Sequence, residues 1–229
     1  MTKNLIINCR EKFNKYYENV YFRAIVLSLV AFLCLRIFTS SVLIIEIFLP
    51  GPPSPYSGIT QETLSDLEQQ SVFSRLFLAP WYRWDTARYL EIADFGYDFN
   101  TINTVWPPLY PFLIKIFSFV FKPSTFASIL VSNIFFIIGL FLTFLFTKSL
   151  FIEDTARQTI FFMSIFPTSF YFLAGYSESI FLTLSVGVFL LIGKKKWLWA
   201  GLLSALATLT RVQGIILVVP IFIELIRNF

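Results

Sequence analysis

Apolar runs too long and too closely spaced for a water-soluble fold decide most of what this chain can become. They occur at about 21–49, 124–147, 158–174, 179–193 and 197–226, with a shorter run at 108–121. A spanning helix needs about 20 apolar residues and rarely fewer than about 17. Inside hydrocarbon every peptide group must find its partner within the protein, so such runs fold as helices. With 56% hydrophobic residues, only 14% charged ones and 29 Phe, the composition suits a lipid-facing surface. The expected fold is an all-α polytopic membrane protein, a single membrane-embedded domain over 1–229.

Charge sets the direction of the spans. Lys3, Arg10, Lys12, Lys15 and Arg23 precede or open the first run, and Lys194-Lys195-Lys196 follow the run at 179–193. Basic clusters favour the cytoplasmic side, and both lie there only if an even number of spans separates them. Counting 21–49, 124–147, 158–174 and 179–193 gives four, whereas adding 108–121 would put three lysines outside. The 108–121 segment is therefore expected to dip into the outer leaflet. Residues 50–123 become a large non-cytoplasmic loop, and Gly175–Glu178 a second, short one. The run at 197–226 reads as a hairpin turning at Arg211–Gly214, which brings the total to about six spans. The basic first 20 residues and the long first run do not fit a cleaved signal peptide, so that run is expected to stay as a span.

Within the large loop, Pro50-Gly-Pro-Pro-Ser-Pro55 is stiff and extended, residues 60–79 suit a short polar helix, and 84–95 suits another with Gly96 just past its end. Pro107 and Pro108 fit the first turn of a helix over 108–121. There is no internal repeat and no low-complexity tract. The chain contains no His, which removes His general bases, His-dependent triads and His metal ligands. Its two Cys, Cys9 and Cys34, offer neither a disulfide framework nor a thiolate metal site. A net charge of +4 without a dense basic patch gives no sign of nucleic acid as a partner.

The residues able to carry chemistry crowd between Trp81 and Pro111, in W-Y-R-W-D-T-A-R-Y-L-E-I-A-D-F-G-Y-D and V-W-P-P-L-Y-P. Charged groups at the edge of hydrocarbon usually mark chemistry or a pathway. Asp85, flanked by Trp81, Tyr82 and Trp84, can take a proton from a sugar hydroxyl if its surroundings raise its basicity. It can equally be a helix N-cap. Arg88, three residues on, can pair with Asp85 on one helix face. In G-Y-S-E-S, Tyr176 and Glu178 reach the same outer face on the parity argument. Glu178 and Asp85 can share an acceptor, a proton or a divalent cation; the plainer reading of Glu178 is a helix start capped by Ser177. Arg211 can hold a phosphate through its planar fork of donors, or snorkel to the headgroups. Arg36 lies nearer mid-span, where pairing within the bundle is expected. Tyr89, Tyr97 and Tyr110 fit either interface anchors or sugar-stacking surfaces.

Taken in order, W-D-T-A-R-Y-L-E-I-A-D-F-G-Y-D, P-L-Y-P, F-P-T-S-F-Y-F-L-A-G-Y-S-E-S-I-F-L and W-L-W-A-G-L-L-S-A-L-A-T-L-T-R-V-Q-G resemble the PIG-V-type mannosyltransferases over about residues 22–226. These enzymes add the second mannose of glycosylphosphatidylinositol anchors, have prokaryotic relatives, and belong to the C-type (GT-C) superfamily of polytopic glycosyltransferases. The resemblance implies inverting transfer at the non-cytoplasmic face, from a polyprenyl-phosphate sugar such as dolichyl-phosphate mannose to a lipid or glycan acceptor. The membrane would be a prokaryotic plasma membrane or the endoplasmic reticulum. It assigns Asp85 to the first-loop acid taken as catalytic base, Glu178 to the second-loop acidic motif, and Arg211 to the basic residue near the lipid phosphate; Arg88 and Tyr176 are expected beside them as substrate-binding residues. The chain departs from the pattern in carrying Arg88 where W-D-x-x-H is common and W-P-P-L-Y-P where F-F-P-L-Y-P is common. Such enzymes run on through further spans, so the resemblance also implies an N-terminal portion or a shortened relative. The competing function is a non-catalytic lipid-linked-sugar binding subunit or a translocator. Translocators usually show repeated halves and broken helices, and the sequence displays neither.

Overall fold

A computed structural model describes residues 19–48, 78, 81, 84–98 and 102–227. In chain order its helices are α1 (Val20–Phe48), α2 (Asp85–Phe95), α3 (Leu109–Ser118), α4 (Ser124–Leu150), α5 (Glu153–Ile165), α6 (Glu178–Gly193), α7 (Trp197–Thr208) and α8 (Val218–Arg227). Short 3-10 segments cover Ile102–Val105, Pro167–Phe172 and Val212–Leu217. Every regular element among the described residues is helical, as the apolar runs require.

Two helices are long and apolar enough to cross a membrane, Val20–Ile45 within α1 and Ser124–Leu150. The apolar helices α3, α6 and α7 are shorter, at 10–17 residues. Along α1 the side chains of Val30, Leu33, Ile37 and Phe38 are each at least half exposed. So continuous an apolar surface would be a liability in water and is at home in hydrocarbon.

The central column is α4, which packs against α1, α2, α3, α5 and α6. Its inner face carries Ser128, Ser132, Gly139 and Thr143, all buried and spaced to fall on one stripe. Small residues let backbones approach where no water-driven force presses helices together. At Gly139 an added Cβ would stand 3.0 Å from Thr183 Oγ1 on α6. The hydroxyls find acceptors: Ser128 donates to the Thr125 carbonyl at 2.8 Å, Thr143 to the Gly139 carbonyl at 2.7 Å and Thr183 to the Phe135 carbonyl at 2.6 Å.

The two ends of α4 differ in charge. At its last turn, Glu153 accepts from Arg23 Nε at 2.7 Å, Lys148 Nζ at 2.6 Å and Arg157 Nη2 at 3.0 Å, tying α1, α4 and α5 together. The hydrogen bond from Arg23, then that from Lys148, hold the Glu153 carboxyl down at about 2. Ser128 and Ser132, near the other end of α4, touch the candidate site described below. Between Ser128 and Lys148 the helical rise amounts to about 30 Å, close to the hydrocarbon thickness of a bilayer.

Several expectations change. The 158–174 run is not one continuous helix: α5 starts earlier, at Glu153, and stops at Ile165. Pro167 supplies no N–H and biases Phe166 to an extended backbone (φ −62°, ψ 135°), after which the chain continues as the 3-10 segment. A broken helix is thus present that the sequence reading did not find. Pro108 sits just before α3 rather than inside it, and α3, about 15 Å long, is too short to span. Helix α2 begins and ends where expected, with Gly96 at φ 86° just past it. The 197–226 run divides into α7, the Val212–Leu217 segment and α8, which contact one another. The proposed helix over 60–79, the Pro50–Pro55 segment and the basic residues before Asn19 lie outside the described residues, apart from Leu78.

Candidate active site

Two loops and a hairpin tip meet beside the first turns of α4. The first loop delivers Asp85. Its predecessor Trp84 has φ 49° and ψ −122°, a backbone that side-chain-bearing residues seldom adopt. Strain of this kind costs about 1–3 kcal/mol and persists where surrounding contacts fix it. Trp84, not Asp85, occupies the N-cap position of α2, and no side chain caps that end. The capping role weighed for Asp85 is therefore overturned, because the carboxylate already stands at the first helical residue. Burial pushes the Asp85 carboxyl above the usual carboxylate range, while the Arg211 guanidinium pulls it the other way. That opposition also locates Arg211 within electrostatic reach of Asp85.

The second loop delivers Glu178, the first residue of α6. Ser177 does precede it, yet makes no cap bond; its Oγ lies 3.0 Å from the Tyr89 hydroxyl of α2. The simple Ser-capped start is thus replaced by a bridge between the two acid-bearing segments. Glu178 Oε1 accepts a hydrogen bond from Arg211 Nη1, and both side chains remain about one-third exposed. Arg211 is not a lone snorkelling cation but half of an ion pair. It is presented by the tight turn after α7, where Gly214 N–H donates to the Arg211 carbonyl at 2.8 Å. A Cβ on Gly214 would stand 2.3 Å from Thr208 N, so only glycine closes this turn.

Tyr176 is buried, at 4% exposure. Its hydroxyl accepts the backbone N–H of Asp85, and burial, followed by the Asp85 and Glu178 charges, raises its own pKa above the ordinary phenol value. It therefore supports Asp85 from below. Its carbonyl accepts from Ser132 Oγ at 2.8 Å, and Ser132 Oγ lies 2.8 Å from the Tyr110 hydroxyl. Tyr89 and Tyr110 meet edge-to-face at 4.8 Å between centroids. Burial raises the Tyr89 phenol to about 12 and raises Tyr110 as well. Both are buried supports, not interface anchors or sugar platforms; Tyr97, more exposed, donates to the Trp106 carbonyl at 2.7 Å. The two loops touch at Gly175, where an added Cβ would lie 2.7 Å from Ser128 Oγ and 2.9 Å from Thr86 Cγ2.

Two arginines depart from expectation. Arg88 pairs with Glu91 at 3.0 Å and is half-exposed, so the Asp85–Arg88 pair does not form. Among the described residues Arg36 meets no carboxylate: Nη1 donates to the Leu173 carbonyl at 3.4 Å, and its guanidinium lies 4.4 Å from the Trp81 ring centroid.

Asp85, Glu178, Arg211 and Tyr176 thus form one cluster, and comparison with known proteins now bears on it. Residues 105–228 match the family model described as dolichyl-phosphate-mannose-protein mannosyltransferase. The chain belongs to this mannosyltransferase family. It is also 32% identical over 162 residues to GPI mannosyltransferase 2 of Schizosaccharomyces pombe, an alignment covering 68% of this chain and 34% of the relative. The chain therefore spans about a third of the length of that relative. No solved structure matches it. Within this family member, Tyr176, Glu178 and Arg211 fall inside the matched region and Asp85 precedes it.

Chemically, the candidate site offers a carboxylate made more basic by burial and a guanidinium held by a second carboxylate. Among the described residues no group of three or more His, Cys, Asp or Glu that could hold a metal ion gathers. Sequence reading missed the Tyr89–Ser177 bridge and the Ser132–Tyr176 contact. Ser132 sits in an apolar run, and Tyr89 and Ser177 lie in stretches whose local pattern does not say which side chains face each other.

Proposed function

We propose that this chain is the catalytic portion of a membrane mannosyltransferase that moves mannose, with inversion, from a polyprenyl-phosphate donor to a lipid or glycan acceptor at the non-cytoplasmic face. In this reading Asp85 takes the acceptor hydroxyl proton, and the oxygen attacks the anomeric carbon. The bond to the phosphate oxygen breaks as the new glycosidic bond forms, and Arg211 stabilises the charge that develops on the departing phosphate. Glu178 holds Arg211 in place, while Tyr176 fixes the Asp85 backbone. Arg88 lies on the exposed face of α2, within reach of the acceptor rather than of the base.

The observation that carries this reading is the Asp85–Arg211–Glu178 cluster at the end of α4 opposite the Arg23–Lys148–Glu153–Arg157 cluster. The basic-rich end suits the cytoplasm. With α1, α4, the 158–174 run, α6 and the two arms of the 197–226 run each crossing, six spans put the acids outside and Lys194–Lys196 inside. The test is the anomeric configuration of the product formed from β-linked polyprenyl phosphomannose, read by NMR. An α-mannoside is expected, with the donor KM raised in Arg211→Ala. A β-product would overturn the single-displacement mechanism, and movement of the donor across the membrane without transfer would favour a translocator.

A further inference from the structure

A cleft of about 810 Å³ lies between α1 and α5. One wall is α1 from Leu27 to Leu43; the other is α5 with the Phe166–Pro167 break and Phe170. The two helices are tied together by Arg23 and Glu153 at one end. At the other end the cleft finishes on Trp81, Trp84, Ala174 and Tyr176. Its surface is mostly hydrocarbon and aromatic; the other groups are Cys34, Thr39, Ser164 and, at the end near Glu153, Arg157. Such a space holds an alkyl or isoprenoid chain and little else.

Where it ends decides which chain. Trp84 is the residue before Asp85, and the Tyr176 hydroxyl accepts the Asp85 amide. A molecule with its tail in the cleft therefore presents its head to the proposed base. No residue of α6, α7, α8 or the Arg211 turn contributes to the walls. Inverting displacement requires the attacking oxygen and the leaving phosphate to lie on opposite sides of the anomeric carbon. If Arg211 takes the phosphate, the donor enters from the hairpin side and the acceptor from the cleft side.

Resting on the transferase reading above, we propose that the α1–α5 cleft is the binding site for the hydrocarbon of a lipid acceptor, entering the site opposite the donor. The acceptor class is then a glycolipid whose terminal sugar hydroxyl meets Asp85 while its chains run along α1. The break at Phe166–Pro167 keeps the upper part of the cleft open by ending α5 one segment short.

The test fills the cleft. Ala31→Phe and Cys34→Trp narrow it; Ile37→Trp, on the same helix but absent from the walls, is the control. Transfer is measured in the full-length protein with polyprenyl phosphomannose as donor. The acceptors are a synthetic dipalmitoyl mannosyl phospholipid and methyl α-mannoside, which has no chain. The two cleft variants are expected to raise the KM for the lipid acceptor at least 10-fold, leaving the donor KM and the methyl mannoside KM within 2-fold, with the control unchanged. A rise in donor KM instead, equal effects on both acceptors, or no effect would overturn the assignment.

A binding measurement separates this from failure of the reaction scheme. In an Asp85→Asn chain, a radiolabelled mannosyl phospholipid with a diazirine in its acyl chain is irradiated, and its attachment to α1 or α5 is mapped by mass spectrometry. Cross-linking suppressed by excess unlabelled mannosyl phospholipid but not by polyprenyl phosphate is the expected result, and it would stand even if transfer assays failed. Suppression by polyprenyl phosphate, or attachment away from α1 and α5, would contradict the proposal.

Discussion

At the scale of single residues, the account turns on why one carboxylate differs from its neighbours. Asp85 loses hydration where it stands, and that raises its pKa; Arg211 opposes the rise. A base with a raised pKa is ionised only at higher pH, so the acid limb of kcat/KM should fall above the ordinary carboxylate range. Arg211→Gln removes the opposing charge and should move that limb further up. A pH–rate profile of both proteins checks this, and a limb that stays put or moves down contradicts it. Gly175 makes a second prediction. A methyl group there meets Ser128 Oγ at 2.7 Å and Thr86 Cγ2 at 2.9 Å, so Gly175→Ala should cost about 1–3 kcal/mol of stability, as overpacking does. Thermal unfolding in detergent reads it, and an unchanged midpoint would mean that the loops have slack. Residue types made Asp85, Glu178 and Arg211 conspicuous in the sequence, because charge beside hydrocarbon needs a reason. The buried roles of Tyr89, Tyr110 and Tyr176 were not legible, since an aromatic near an interface reads the same whether it faces lipid or packs inward.

Among the elements, two devices hold the helices in register. At the basic-rich end Glu153 gathers Arg23, Lys148 and Arg157 from three helices. Its folded pKa, about 2, is depressed below its ordinary value of 4.5, so the folded protein holds the proton less tightly than the unfolded chain. The stability it contributes is present above the unfolded pKa and is lost as pH falls from about 4.5 towards 2. Glu153→Gln should destabilise by about 1–3 kcal/mol, the usual range for hydrogen bonds to charged groups, and should flatten the pH dependence of unfolding in that window. An unaltered pH dependence would show that the cluster is solvated ornament. Near the site, Arg36 touches both the Leu173 carbonyl and Trp81, spanning from the first helix to both site loops. Element existence was readable from apolar runs and from Gly96 and Pro108. The break after α5 was not, because Phe166-Pro167-Thr168-Ser169 is a short dip inside a longer apolar run, and backbone restriction by proline outweighs apolar continuity there.

For the whole molecule, the proposed six-span arrangement predicts which surfaces meet which compartment. In a Cys9→Ser, Cys34→Ser background, Thr104→Cys should react with an impermeant maleimide added to the non-cytoplasmic side. Lys194→Cys should react only after permeabilisation. Both reacting from one side would break the parity on which the topology rests. The all-helical, membrane-suited character followed from composition and run length alone. The clustering of three distant residues needed the structure, because residues 85, 178 and 211 belong to three separate connections that only packing around α4 brings together. The most direct test of that convergence is to separate binding from turnover in Asp85→Asn. With polyprenyl phosphomannose and a mannosyl phospholipid, the variant should bind donor within about 3-fold of the parent while single-turnover transfer falls by about 10²–10⁴, the range expected for loss of a general base. Transfer at the parent rate, or loss of donor binding in step with loss of transfer, would contradict the role given to Asp85.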